Sequence, residues 1–126
     1  MRTALLLGLT ALTALTALTA LAAAPASASE RRCGWLQNPT PANWWLIDRD
    51  GEWTIGAQGG HQAEGDLPDM TTRGWVRTNG SHGYGCACMT VDTDRRTRRI
   101  TRIFSATPMP LRQCRNDRFL PRMFRP

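Results

Sequence analysis

Two cysteines separated by a single alanine, Cys86 and Cys88, are the residues of this chain best suited to chemistry. Such a pair could bind a metal ion together with His82, or cycle between a dithiol and a disulfide. Common zinc sites and redox motifs, however, separate their paired cysteines by two residues, and here only Ala87 lies between them. We therefore expect no metal and no other cofactor.

A structural role for the cysteines fits the sequence better. The chain has four of them, Cys33, Cys86, Cys88 and Cys114, and an even number in a small exported domain is typical of disulfides. In a strand, Cys86 and Cys88 would lie on the same side with their Cα atoms about 6.6 Å apart, which disfavours a bond between them. Each should instead bond Cys33 or Cys114. Loop-closure entropy is nearly equal for the two arrangements, so we prefer Cys33–Cys86 with Cys88–Cys114 and leave the crossed pairing open.

A small hydrolase or metal-dependent enzyme is the alternative function that the sequence allows. It would use His82 with Asp66 or Asp69 as acid and base, or as metal ligands. The second histidine, His61, lies in a glycine-rich stretch. The sequence contains no nucleophile elbow, phosphate-binding loop or zinc-protease motif. We therefore expect a protein that is not an enzyme.

Binding to a protein or to a component of the cell envelope is the function that we predict. Aromatic and arginine side chains dominate protein interfaces, and long loops often carry function. The candidate surface combines the glycine-rich segment 56–74 with the following residues: Trp45, His82, Tyr84, Arg95 and Arg96. For Trp45 the competing interpretation is cover for the backbone of Gly56. The five tryptophans together could likewise supply core area that a small domain lacks.

The first residues have the features of a secretory signal peptide. Arg2 precedes a run of Leu, Ala and Thr with no further charge until Glu30, and Ala26-Ser27-Ala28 has the small-x-small form of a cleavage site. We predict a signal peptide over residues 1–28 and a periplasmic or secreted location. We expect no transmembrane segment in the mature chain and no nucleic acid as a partner.

The formal net charge of +6 is distributed unevenly, and every basic residue of the chain is an arginine. Residues 29–94 contain five arginines and nine acidic residues, whereas residues 95–126 contain ten arginines and only Asp117 as an acid. This basic third could meet anionic lipid, a glycan or an acidic protein, or it could be a solvated turn and tail. An inhibitor of an acidic enzyme would be one specific form of the predicted binding module.

A hairpin is the clearest local structure in the sequence. Asp50-Gly51 stands between two β-rich runs and predicts a two-residue loop, which would place Leu46 opposite Ile55. Because neighbours along a strand alternate between faces, the hairpin would direct four apolar side chains to the core: Trp44, Leu46, Trp53 and Ile55.

The rest of the mature chain, residues 29–126, predicts a single all-β domain. Strand-like runs occupy residues 74–78, 84–93 and 99–106. The prolines near residue 40 and those after residue 107 predict irregular N- and C-terminal segments. We expect a small twisted β-meander or partial barrel, stapled by disulfides, with its core over about residues 33–118 and a loose tail.

Three motifs in chain order give the sequence a specific resemblance. They are CGWLQNPTPANWWLIDRDG, GYGCAC and PLRQCRNDRFLP, and they extend over residues 33–121. With them the chain resembles a bacterial family of small exported four-cysteine proteins that is catalogued as a domain of unknown function. The resemblance implies export, a single domain and the four-cysteine framework. It implies no catalytic or binding residues.

Overall fold

The computed structural model describes residues 28–70 and 74–123. The predicted signal peptide lies outside these residues, apart from Ala28. No helix within the described ranges is long and apolar enough to cross a bilayer.

The described residues form six strands and one short helix, which confirms the all-β prediction. In chain order the elements are β1 (Glu30–Thr40), β2 (Asn43–Asp48), β3 (Gly51–Gly56), β4 (Val76–Asn79), β5 (His82–Asp94), β6 (Arg99–Met109) and α1 (Leu111–Arg115). The strands form one sheet in the order β1-β2-β3-β6-β5-β4, and β1 also pairs with β5. The sheet is therefore ring-like, although it is not a barrel.

The ring of strands has its weakest pairing between β3 and β6. Thr54 and Arg99 are the single residue pair of the β3–β6 ladder. Part of the glycine-rich segment fills this seam, because the backbone N–H of Ala63 donates to Ile55 and that of Glu64 donates to Thr101. The segment 56–74, predicted as a contact loop, thus contributes partly to the sheet itself.

The N-terminal segment was predicted to be irregular, and this prediction is wrong. Glu30–Thr40 forms β1, which pairs with β5 along one edge and with β2 along the other. Pro39 is compatible with the strand because it follows the last β1–β5 pair, Asn38 with Gly83, and lies where the β1–β2 register shifts. At such a bulge the missing N–H of proline costs no ladder hydrogen bond.

The β2–β3 hairpin forms, but with a different loop from the one predicted. Arg49 and Asp50 make the turn, and Leu46 pairs with Trp53 instead of Ile55. Gly51, with φ of 113°, occupies a conformation that favours glycine directly after the turn. A register change of two residues leaves Leu46, Trp53 and Ile55 on their predicted face. Trp44 lies beyond a register shift at Trp45 but still packs against these buried residues, so the predicted core face is confirmed.

The sheet has two differently covered faces. The inner face of the ring holds the larger apolar cluster, which is centred on residues with essentially no exposed surface: Leu36, Leu46, Trp53, Ala87, Met89 and Val91. The outer face, which we define by the side chains of Trp35, Tyr84 and Cys86, is covered by the C-terminal segment through Cys114 and Leu120. The C-terminal segment through Met123 therefore packs on the sheet, and within it residues 111–115 are helical.

The four cysteines form two disulfides, but the preferred pairing is wrong. The bonds are Cys33–Cys88 and Cys86–Cys114. The register of β1 and β5 explains the difference, because it places Cys33 directly opposite Cys88 and gives Cys86 the apolar neighbour Trp35. Since β1 was predicted to be irregular, this register could not be foreseen. The Cys86–Cys114 bond attaches α1 to the outer face.

Candidate functional site

The predicted contact residues do not form one surface. Tyr84 and Arg95 lie at opposite ends of the long strand β5 and the turn that follows it, which separates them by about 35 Å at the rise of a strand. Arg95 and Arg96 are exposed, whereas Trp45 and His82 are half-buried. Trp45 and Tyr84 lie in one cross-strand row, on either side of Gln37.

Tyr84 is part of the outer apolar cluster and presents little surface to a partner. Its ring meets Trp35 edge-on, with 5.6 Å between the ring centroids. The indole N–H of Trp35 donates to the backbone carbonyl of Pro121 at 3.0 Å, which holds the C-terminal segment across the outer face. Tyr84 therefore belongs to the packing beneath this segment.

His82 is engaged in a local network that braces the β1–β2 turn. The side-chain amide of Asn38 donates to the backbone carbonyls of Thr40 and Asn43, each at 2.8 Å. Its remaining oxygen lies 2.7 Å from His82 Nδ1. Because that oxygen can only accept, the hydrogen of the imidazole must be on Nδ1. This arrangement holds His82 in place and explains why it is half-buried.

The two histidines that an enzyme could use have separate surroundings. His82 contacts Asn38, whereas the other histidine, His61, lies 2.7 Å from the backbone carbonyl of Ile100. Asp66 is exposed in the segment after the β3–β6 seam. Across residues 28–70 and 74–123, no group of three or more His, Cys, Asp or Glu side chains is placed to hold a metal ion.

A charged network, here called the inner network, lies at one end of the ring and includes a buried arginine. The side chain of Arg32 is only 5% exposed and donates to Asp48 at 2.6 Å and to Asp50 at 2.9 Å. A third carboxylate, Glu30, also pairs with it. The indole of Trp53 lies 4.0 Å from the guanidinium carbon of Arg32 and donates to Asp48 at 3.0 Å.

The protonation states of this network follow from its contacts. Burial acts to lower the pKa of Arg32, but its hydrogen bonds to Asp48 and Asp50 outweigh burial and raise that pKa above its ordinary value. A hydrogen bond from Thr93, together with the charge of Arg32, lowers the pKa of Glu30. A hydrogen bond from Arg32 likewise lowers the pKa of Asp50. Arg32, Glu30 and Asp50 are therefore charged at neutral pH.

A cleft of about 850 Å³ opens on the outer side of this network and is here called the outer cleft. Its walls come from the start of β1, the β2–β3 turn and the segment after α1. Phe119 projects at its rim with 56% of its surface exposed. The guanidinium carbons of Arg49 and Arg118 lie 5.0 Å and 4.8 Å from the centre of the Phe119 ring.

Hydrogen bonds fix the segment that carries Phe119. Asp117 accepts from Arg49 at 3.2 Å and from the backbone N–H of Phe119 at 3.0 Å. The N–H of Phe119 and the guanidinium of Arg49 lower the pKa of Asp117, in that order of importance. The next residue, Leu120, is buried in the outer apolar cluster. The exposed ring is thus held between two anchored residues.

A second exposed aromatic ring, Phe104, has an analogous environment on β6. Thr90 pairs with Ser105 and Val91 with Ile103, so Phe104 is the extra residue of a β-bulge. Bulges re-aim side chains and are frequent beside functional sites. Phe104 is 53% exposed, and the guanidinium carbon of Arg102 lies 5.8 Å from its ring centre.

A family model matches residues 27–121, which is most of the chain. The chain belongs to the DUF4087 family, proteins of unknown function. This confirms the resemblance that the three sequence motifs carry. No curated protein and no solved structure matches the chain.

The DUF4087 match includes all four cysteines, the inner network and both exposed phenylalanines. It ends at Pro121, the residue whose carbonyl accepts the hydrogen bond of Trp35. The residues matched by the family model therefore include the whole sheet and most of the C-terminal segment that covers its outer face.

Phe104 and Phe119 are the functional candidates that the sequence analysis missed. Among the described residues, they are the only large apolar side chains with more than half of their surface exposed. Each has an arginine close in sequence within the basic third, in Arg102-Ile103-Phe104 and Arg118-Phe119. That adjacency was the available signal, because arginine next to an aromatic residue is typical of interfaces.

Proposed function

We propose that the chain is an exported, non-enzymatic module that binds a protein or a component of the cell envelope. The observation that carries this proposal is the pair of exposed phenylalanines, Phe104 and Phe119, each stacked with arginine. Interfaces are enriched in aromatic residues and arginine, and truncating such residues is often costly to binding. The contact surface is therefore centred on the basic C-terminal third.

The export part of the proposal rests on the predicted signal peptide and on the oxidised cysteines. Two disulfides in a domain of this size are compatible with an oxidising compartment. The full chain, expressed in a bacterial host, should be recovered from the periplasm or medium with its N-terminus at Ser29. A chain that keeps its first residues and stays with reduced cysteines in the cytoplasm would remove this part of the proposal.

The non-enzymatic part is supported by the hydrogen bonding of His82. Its Nδ1 hydrogen is committed to Asn38, which itself braces a turn. This contact gives His82 a structural role, and within the described residues no group of three or more His, Cys, Asp or Glu side chains surrounds it as a metal site. Replacing it, His82→Gln, should therefore leave partner binding intact.

The test is capture of a partner from envelope extract with the mature, oxidised protein immobilised. We expect a specific protein or envelope component to be retained, and its retention to be lost in the double variant Phe104→Ala with Phe119→Ala. Trp45→Ala is the matched control, because Trp45 is aromatic but half-buried and distant in sequence from the basic third. Loss of the partner with Trp45→Ala, and not with the phenylalanine variant, would contradict the proposed surface.

A further inference from the structure

The acidic residues that line the outer cleft already have positively charged partners within the protein. Asp48 and Asp50 are paired with the buried Arg32. Asp117 accepts from Arg49 and from the N–H of Phe119. These three carboxylates therefore have their positive partners within the protein and do not call for a cationic ligand.

The two remaining arginines that line the cleft differ from Arg32 and Arg49 in their ion pairing. Arg31 and Arg118 are exposed, and neither forms an ion pair with an acid of the described residues. Arg118 lies against the ring of Phe119, which leaves the edge of its guanidinium group open to a ligand. The cleft therefore offers positive charge beside an exposed apolar ring.

The remaining lining supplies amide groups. Gln113 and Asn116, both exposed, line the cleft on the side of α1, and the amide nitrogen of Gln113 also donates to Cys88 Sγ at 3.8 Å. An amide side chain can donate and accept, which suits the alternating N–H and C=O groups of a peptide backbone. A volume of about 850 Å³ is sufficient for several side chains of a bound segment.

We propose that the outer cleft binds an acidic segment of a partner protein, with a carboxylate on Arg31 or Arg118 and an apolar side chain against Phe119. This inference rests on the proposed function and names the partner class of the same surface. A phosphate is less well matched, because it has no apolar part to cover the exposed ring of Phe119. A flat anionic bilayer is less well matched too, since the arginines lie around a recess.

The probe is a short synthetic peptide with glutamates next to a phenylalanine, labelled with a fluorophore and titrated with the mature oxidised protein. Its counterpart has glutamine in place of every glutamate. We expect saturable binding of the acidic peptide, and a dissociation constant for the glutamine peptide that is at least about tenfold larger.

Matched variants locate the site. Arg31→Gln with Arg118→Gln should weaken binding of the acidic peptide about tenfold or more. Arg77→Gln with Arg96→Gln removes the same charge from exposed positions outside the cleft and should change binding less than about twofold. Phe119→Ala should weaken binding, whereas Phe104→Ala, an equally exposed ring that does not line this cleft, should not.

Three results would overturn the inference. If the cleft variant and the control arginine variant weakened peptide binding equally, the peptide would be attracted by the overall positive charge and not by the cleft. Absence of saturable binding would show that the cleft does not accept an acidic segment. Stronger binding to phosphatidylglycerol vesicles than to the peptide, lost in the cleft variant, would assign the cleft to lipid. In each case a captured partner that depends on Phe104 would leave the broader proposed function standing, and failure of capture as well would remove both.

Discussion

Arginine serves two regions of this molecule in opposite ways. In the inner network, Arg32 is buried and paired with three carboxylates, and its guanidinium group stacks on Trp53. At the outer cleft, Arg118 is exposed and stacks on an exposed ring, Phe119. The same side chain thus fixes the fold in one place and remains available to a ligand in the other.

The difference lies in where the acids are and not in the number of arginines. Nine of the acids of the mature chain lie before residue 95, and they can pair only with the arginines that the fold brings to them. Arg95 and Arg102 are paired in this way with Glu30 and Glu64, and Arg49 is paired with Asp117, the one acid of the basic third. A count of charges along the chain therefore overstates how much positive charge is free for binding.

The largest effect should come from the inner network. Arg32→Leu leaves the buried Asp48 without its cation, and we expect the free energy of unfolding to fall by about 3–5 kcal/mol. Urea denaturation of the oxidised protein measures this change. Arg96→Leu is the control, because it removes an exposed arginine and should alter stability by less than about 0.5 kcal/mol. Similar losses in the two variants would abolish the distinction between the two regions.

Removing one disulfide should loosen the C-terminal segment, whereas removing the other should not. Removing Cys86–Cys114 with serine at both positions should lower stability by about 2–4 kcal/mol and speed hydrogen exchange in residues 111–123, because α1 loses its attachment to β5. Cys33→Ser with Cys88→Ser should leave exchange in residues 111–123 unchanged, since that bond joins two strands that remain paired.

Double cysteine variants also test which cysteines are paired. With Cys33 and Cys88 replaced, the remaining two cysteines should be inaccessible to a thiol reagent. With Cys33 and Cys86 replaced, the remaining Cys88 and Cys114 have each lost their partner and should react with the reagent. Labelling in the first variant and protection in the second would restore the pairing that we preferred from the sequence.

How much of this could be predicted depends on the range of the interactions involved. The hairpin around Asp50 and the core faces of its strands follow from local alternation, which survives a register change of two residues. The pairing of Cys33 depends on β1 lying beside β5, a contact between segments about fifty residues apart. Nothing local in a proline-containing segment indicates that contact.

The candidate site was harder to predict for the same reason. His82 and Tyr84 were candidates because of their residue types, but long-range contacts with Asn38 and Trp35 make both of them part of the packing. Phe119 and Arg49 are far apart in sequence and meet only because Asp117 and the β2–β3 turn are brought together. Residue type predicted the class of surface, and only the fold supplied its location.

Acid should weaken the inner network by protonating its carboxylates. The pKa values of Glu30 and Asp50 are lowered in the folded protein, so the folded state binds protons less readily than the unfolded chain. Their stabilisation is therefore complete above the unfolded values of about 4 and is lost as the pH falls through the lower folded values.

We expect the free energy of unfolding to decrease progressively below about pH 4. Glu30→Gln with Asp50→Asn should flatten this decrease, and Glu52→Gln, an exposed acid of β3, serves as the control. Urea denaturation at a series of pH values gives the comparison. A decrease of the same steepness in the network variant would place the acid-sensitive groups elsewhere.

The smallest effect on stability should come from the outer cleft, and here a small effect is the informative result. Phe119→Ala and Arg118→Gln remove exposed groups, so each should change the free energy of unfolding by less than about 0.5 kcal/mol. A residue whose substitution leaves stability unchanged but abolishes binding contributes to the ligand contact and not to the fold. If Phe119→Ala instead destabilised the protein as strongly as Arg32→Leu, its ring would be cover for the sheet, and the outer cleft would be part of the packing like the inner network.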